Sequence, residues 1–333
     1  MMFGKLARRD RQQDRRTRDS KRRRLTHLMS RKPRIESLED RRLLAVDFTT
    51  SFIEQGPGPI VSIGASTSAA GLPDNRATGA IETIAVHPTN SNIVYVGASN
   101  GGVWRTTNFG TGSPTWTPTT DSFDSLSIGS IAFSPMDGTG NTVFAGTGNF
   151  SNGDERFASL TNQGNKGILR TTDGGLSWEE LANNTDGDNE LLGRIRSIVP
   201  TNLGGSLSSQ VVLAASVNGA GVFRSADGGA TFTQISGAVG SGLPAGSATD
   251  LVADPNNANR FYTALPNSGV YRTDNGGVNW ARIDNQNTAI TGIAGSSNIE
   301  LATHDAGTTT VLYVGVVGGG NSLTGVFRDT AGG

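Results

Sequence analysis

One short segment recurs through the chain. It reads GVWRTTNFG from Gly102, GILRTTDGGLSW from Gly167, GVFRSADGGATF from Gly221, GVYRTDNGGVNW from Gly269 and GVFRDTAGG from Gly325. The first glycines stand 65, 54, 48 and 56 residues apart, an interval that suits a supersecondary unit and is too short for a separate domain. A chain written this way folds as an array of like pieces, each too small to bury its own apolar residues, so that neighbours must seal one another.

Each copy has the same internal order. A short β-prone run (Val103-Trp104, Ile168-Leu169, Val222-Phe223, Val270-Tyr271, Val326-Phe327) leads through an arginine into a Ser/Thr-x-Asp/Asn-x-Gly turn, and in the complete copies an aromatic restarts the chain. That pattern predicts a β-hairpin. At the third turn position Asp173 or Asp227, or in their place Asn108 or Asn275, offers a side-chain oxygen to backbone N–H groups of its own loop, while the glycines that follow allow positive φ. The closing aromatics, Trp116, Trp178, Phe232 and Trp280, are expected to pin the turns by burying their rings against a neighbouring sheet.

The segment resembles the Asp-box (BNR) repeat, S/T-x-D-x-G-x-S/T-W, of sialidase-type, sortilin-type and xyloglucanase-type β-propellers. The match rests on Thr171, Asp173, Gly175, Ser177 and Trp178, then on Ser225, Asp227, Gly229, Thr231 and Phe232, and less completely on Asn108, Asn275, Gly277 and Trp280. The first copy carries extra residues before Trp116, and the last has Ala331 where the carboxylate belongs. The resemblance covers residues 79–333 and implies an all-β propeller of four-stranded antiparallel blades. It also implies that the Asp-box residues brace the blade periphery and take no part in catalysis or metal binding.

Four strand signals per unit fit that architecture. The units run over 79–121, 125–183, 193–237, 246–284 and 289–333, and the last has no fourth strand. Phe48–Glu54, in the segment 47–78 that otherwise reads as loop, is placed to supply a closing strand. The final Gly332-Gly333 cuts a hairpin at its turn, so further blades or domains downstream are expected.

With 46 glycines, about twice the usual share, the chain is rich in turns, and with no cysteine it has neither disulfides nor thiolate metal sites. His27, His87 and His304 have no ligand spacing, and His87, beside Pro88, is expected at an exposed turn. No cofactor or metal is implied. Residues 1–45 carry 16 Lys/Arg against 6 Asp/Glu, which leaves 12 basic and 23 acidic residues for 46–333. The basic leader (1–46) has too few apolar residues to fold and lacks the interleaved aromatics of a stacking surface, so disorder is expected, without a specific nucleic-acid partner. Its end, RIESLEDRRLLAV from Arg34, resembles the LEPR-XLL-type segment of large exported bacterial surface proteins, with LED in place of LEP before Arg41. That likeness implies an extracellular or cell-surface protein. No apolar run approaches the roughly eighteen residues of a transmembrane helix.

For function, two classes compete. The first is an interaction module that presents loops to glycans or proteins and is non-catalytic as given. Its candidate contacts are Ser99 and Asn100, between the second and third strands of unit one, and Asp154, Glu155, Arg156 and Phe157, in the insertion Gly148–Gly167 of unit two. The second is a glycoside hydrolase or lyase with its acids downstream of Gly333. Xyloglucanase-type propellers carry a catalytic Asp in a TDIGG-like stretch before the third strand of the first blade. The matching residues here are Ala98-Ser99-Asn100-Gly101-Gly102, without the acid. No catalytic residue is therefore assigned. Tyr95, Tyr262, Tyr271 and Tyr313 lie within strand signals and are expected in the core rather than as nucleophiles. An assembly factor like the photosystem-associated propellers of this repeat type is a third class without a residue to support it.

Overall fold

The fold was analysed in a computed structural model, which describes residues 60–61, 76–77, 80–99, 101–123, 125–148, 150, 167–181, 193–218, 220–285 and 289–329. These lie in the unit Glu54–Gly333. Phe48–Glu54 falls outside the described residues.

Five antiparallel sheets follow one another along the chain. Blade 1 is β3 (Ile81–Val86), β4 (Val94–Ala98), β5 (Gly102–Thr106) and β6 (Thr117–Pro118); blade 2 is β7 (Ile128–Phe133), β8 (Val143–Thr147), β9 (Ile168–Thr171) and β10 (Glu179–Leu181). Blade 3 is β11 (Ile195–Pro200), β12 (Val212–Ser216), β13 (Gly221–Ser225) and β14 (Thr233–Gln234); blade 4 is β15 (Asp250–Asp254), β16 (Asn257–Leu265), β17 (Gly269–Thr273) and β18 (Ala281–Arg282). Blade 5 has three strands, β19 (Ser296–Asp305), β20 (Thr310–Gly318) and β21 (Leu323–Arg328). The stretch expected to be loop contains one small ladder, β1 (Ile60–Val61) paired with β2 (Arg76–Ala77).

Each blade is a simple meander, and the first strands of successive blades lie side by side. The second strands of blades 2, 3 and 4 are apolar on both faces, because one blade packs on each side. Tyr95 and Val103 of blade 1 meet Ile128, Ile131 and Leu169 of blade 2, and Phe144 and Ile168 meet Ile195, Ile198 and Phe223 of blade 3. Leu213 and Val222 meet Leu251, Phe261 and Tyr271 of blade 4, and Tyr262 and Val270 meet Ile299, Leu301 and Val314 of blade 5.

The register makes the two outermost faces visible. Ile84, Ile131, Ile198, Leu251 and Leu301 precede the residues paired with Tyr95, Phe144, Leu213, Tyr262 and Tyr313, and so are equivalent. Ile131, Ile198, Leu251 and Leu301 are 8, 6, 2 and 8% exposed, whereas Ile84 is 64% exposed. Val103, Ile168, Val222 and Val270 are wholly buried, whereas their counterpart Val326 is 66% exposed. Among the described residues, none covers the Ile84 face of blade 1 or the Val326 face of blade 5.

The glycine that opens the copy in blades 1 and 3 has a steric cause. Gly102 and Gly221 are left-handed (φ 70° and 79°). A Cβ at either would lie 2.5 Å from Thr120 Oγ1 or 2.4 Å from Ser236 Oγ. Those hydroxyls accept hydrogen bonds from the next N–H, of Val103 (2.8 Å) and Val222 (2.9 Å). Asp284 does the same for Val270 (2.8 Å).

His87 departs from expectation. It is buried, its Nδ1 accepts from the N–H groups of Thr89 (3.2 Å) and Asn90 (3.1 Å), and its Nε2 is 3.1 Å from the carbonyl of Thr139 in blade 2. The left-handed Gly140 lets that second turn close over the ring, since a Cβ there would lie 2.0 Å from Nε2.

Candidate functional site

The recurrent hairpins lie at the blade edges and spend their polar groups internally. In blade 2, Asp173 Oδ1 accepts from the N–H groups of Leu176 and Ser177 (both 3.0 Å) and from Thr171 Oγ1 (2.8 Å), and Oδ2 accepts from Ser177 Oγ (2.6 Å). The N–H of Gly175 donates to Thr171 Oγ1 (2.9 Å). In blade 3, Asp227 accepts from Thr231 N–H (2.9 Å), Thr231 Oγ1 (2.6 Å) and Ser225 Oγ (2.7 Å), while Gly229 N–H donates to Ser225 Oγ (2.9 Å). Asn275 takes the place with Asn279 N–H (3.0 Å) and Thr273 Oγ1 (2.8 Å), the hydroxyl to which Gly277 N–H donates. Asn108 does so with Thr115 N–H (2.8 Å), across the extra turn Phe109–Thr111. These donors hold the Asp173 carboxyl at about 2, the Ser177 hydroxyl contributing most.

The hairpins of blades 2, 3 and 4 lean on the preceding blade, whereas Trp116 of blade 1 is half-buried with its ring edge-on to Phe109 of its own hairpin. The rings of Phe232 and Trp280 are buried in the cores between blades 2 and 3 and between blades 3 and 4, and Trp178 packs against the core between blades 1 and 2. The carbonyls of the paired glycines accept across the same boundaries: Gly174 from Tyr95 Oη (2.6 Å), Gly228 from Arg170 Nη1 (2.5 Å) and Gly276 from Arg224 Nε (2.9 Å). In blades 2 and 3 the arginine of the repeat, Arg170 or Arg224, is thus a latch to the next blade, a role its sequence context does not reveal, whereas Arg272 pairs with Asp274 of its own blade.

The first strands enclose a polar channel of about 330 Å³ to which all five blades contribute, through Glu82, Ser130, Arg196, Asp250 and Glu300 among others. Arg196 Nη2 reaches from blade 3 to Glu300 Oε1 of blade 5 (2.9 Å). Burial pushes the Asp250 carboxyl up, against its acceptance of hydrogen bonds from Leu301 N–H (2.7 Å), Ser197 Oγ (2.9 Å) and Leu251 N–H (2.7 Å). Because those donors come from blades 3, 4 and 5, Asp250 is spent on holding blades together.

At one end of the channel, loops from blades 2 to 5 surround a cavity of about 560 Å³. Phe150 follows β8, Arg194 precedes β11, and Asn218 and Asn267 sit at the β12–β13 and β16–β17 turns, with Thr249 and Ser297 on the wall. The guanidinium carbons of Arg194 and Arg196 stand 5.5 and 4.9 Å from the centre of the Phe150 ring. Arg194 Nη2 donates to Asn218 Oδ1 (2.8 Å). Both asparagines are left-handed (φ 67° and 63°), a conformation Asn tolerates better than most residues. Asn267 is anchored to blade 5 through Gly295 N–H (2.8 Å) and Ser296 Oγ (3.0 Å).

Of the contact residues expected from sequence, Ser99 is buried at the end of β4, its N–H donating to Ala80 O (2.8 Å). Asn100, Asp154, Glu155, Arg156 and Phe157 lie outside the described residues. Phe150 starts the same insertion. Arg194 opens RIRSIVP, which reads in sequence only as a charged lead-in to a strand. Tyr95, Tyr262 and Tyr271 are buried as expected, and Tyr313 is half-buried. Among the described residues there is no group of three or more His, Asp or Glu side chains able to hold a metal ion. None of their helices is long and apolar enough to cross a membrane.

Like sheets fanned about a shared channel define the class: the chain is a β-propeller. It is 23% identical over 245 residues to a xyloglucanase of Hypocrea jecorina (strain QM6a), a match covering 70% of this chain and 24% of that protein. The chain therefore spans about a quarter of that relative's length. Among solved structures it is similar to an ancestral GH74 enzyme (TM-score 0.52, 22% identity, 76% of this chain and 30% of the other). It is also similar to the GH74 xyloglucanase from Xanthomonas campestris (TM-score 0.51, 16% identity, 76% and 36%). No family model matches the chain.

Proposed function

We propose that this chain is the propeller of an exported or cell-surface protein, that it binds polysaccharide at the mouth of its channel, and that it is non-catalytic as given. The observation that carries the reading is the mouth cavity, where loops of four blades bring together an aromatic ring, a guanidinium, two amides and hydroxyls. Mixed aromatic and hydrogen-bonding walls suit a sugar chain, which offers both apolar faces and hydroxyls. A curated relative named for action on a polysaccharide supports the ligand class. The carboxylates of the recurrent hairpins and of Asp250 are engaged in structural hydrogen bonds, which supports the non-catalytic part. The Asp-box assignment of those hairpins and the export role of residues 1–46 belong to the same proposal.

The second reading, a hydrolase whose carboxylates are supplied from outside this chain, is favoured by the xyloglucanase relative and by the fraction of it that the chain spans. A panel of plant and bacterial polysaccharides that includes xyloglucan, assayed for binding and for release of reducing ends, separates the two. Binding without release is expected. Release by this chain would overturn the non-catalytic reading, and no binding anywhere in the panel would overturn the ligand class.

A further inference from the structure

Resting on the reading of the mouth as a glycan site, the charge there narrows the ligand. Residues 46–333 carry 12 basic and 23 acidic residues, so a surface pocket of this domain would ordinarily include a carboxylate. Among the described residues that line the mouth there is no Asp or Glu, and the single charged side chain is Arg194. Arg196 stands just below it, against the same Phe150 ring and bridged to Glu300 in the channel. Arg194 is held in place from two sides, by the ring and by Asn218 Oδ1. Partial burial pulls its guanidinium below the usual arginine range, a cost to the charged form that an anion beside it would offset. A planar guanidinium fixed at the wall of a pocket matches a carboxylate in geometry.

We infer that the mouth prefers a glycan bearing carboxylates, a uronic-acid polymer, over a neutral one, with Arg194 as the residue that reads the acid. The full chain is titrated with oligogalacturonate, with the same oligosaccharide after its carboxyls have been reduced to alcohols, and with neutral xyloglucan oligosaccharide. The acid form is expected to bind about tenfold tighter than its reduced counterpart at about 0.05 M salt, a preference that shrinks at about 0.5 M as the charge is screened. Arg194→Gln is expected to bring the acid form down to the affinity of the reduced one. Should that variant fail to fold, the acid-to-reduced ratio of the natural chain and its salt dependence decide by themselves.

Equal binding of the acid and reduced forms, or an undiminished preference in a folded Arg194→Gln, would overturn the inference and leave the glycan reading standing. Failure of all three ligands to bind would remove the glycan reading and this inference together.

Discussion

Asp173 and Asn275 perform one task with different chemistry. Each presents Oδ1 to a backbone N–H four residues ahead and to a hydroxyl two residues behind, at 2.8 to 3.0 Å. What the turn needs is therefore an acceptor, and the negative charge adds to it. Asp173→Ala is expected to lower unfolding free energy by about 1–2 kcal/mol, whereas Asp173→Asn, which keeps the acceptor, should cost less than about 1 kcal/mol in denaturant titrations. The carboxyl's depressed value of about 2 sets the sign of its pH dependence. Its contribution is complete above the unfolded value near 4, is lost as pH falls from there towards about 2, and is absent from Asp173→Asn. Acid titration of the two proteins side by side checks this, and a difference that appeared only above pH 5 would refute it. His87 shows where reading by residue fails: a His-Pro pair signals a turn, but only the bare Gly140, 53 positions away, lets a second turn bury the ring.

A blade contributes stability only through the faces it shares. Ile84 and Ile131 hold the same place in the first strand, yet only Ile131 is covered by a neighbour. Ile131→Ala is expected to cost about 2–4 kcal/mol and Ile84→Ala less than about 1 kcal/mol, a contrast that thermal or chemical unfolding of the two variants measures directly. Most strands were legible from the sequence, because apolar runs of β-prone residues bounded by Gly, Asp and Asn have few other solutions, and a repeated pattern reinforces itself in every copy. The mouth was not. Phe150 and Arg194 come from loops without a shared motif, Asn218 and Asn267 stand just before the opening glycine of their repeat copies, and only the fan of blades brings all four to one cavity. The arginine of the repeat was visible in every copy, but the partner of Arg170 and of Arg224 is a main-chain carbonyl in the next unit, which leaves no mark on the letters.

Across the whole array, cohesion is a sum of contacts between adjacent blades, as in other repeat proteins. Among the described residues, blades 2, 3 and 4 are covered on both faces, and blades 1 and 5 on one. Amide exchange should accordingly be slowest in β12 of blade 3 and faster in β4 and β20, with the end sheets opening before the middle ones. Uniform protection across all three strands would contradict that gradient. The latches between blades have a consequence for how units are joined. Because Gly174, Gly228 and Gly276 receive their neighbours through carbonyl oxygens that every residue possesses, this one contact asks of an adjoining unit only a side-chain donor. At that contact one unit can stand in for another, whatever residues its loops carry to the mouth.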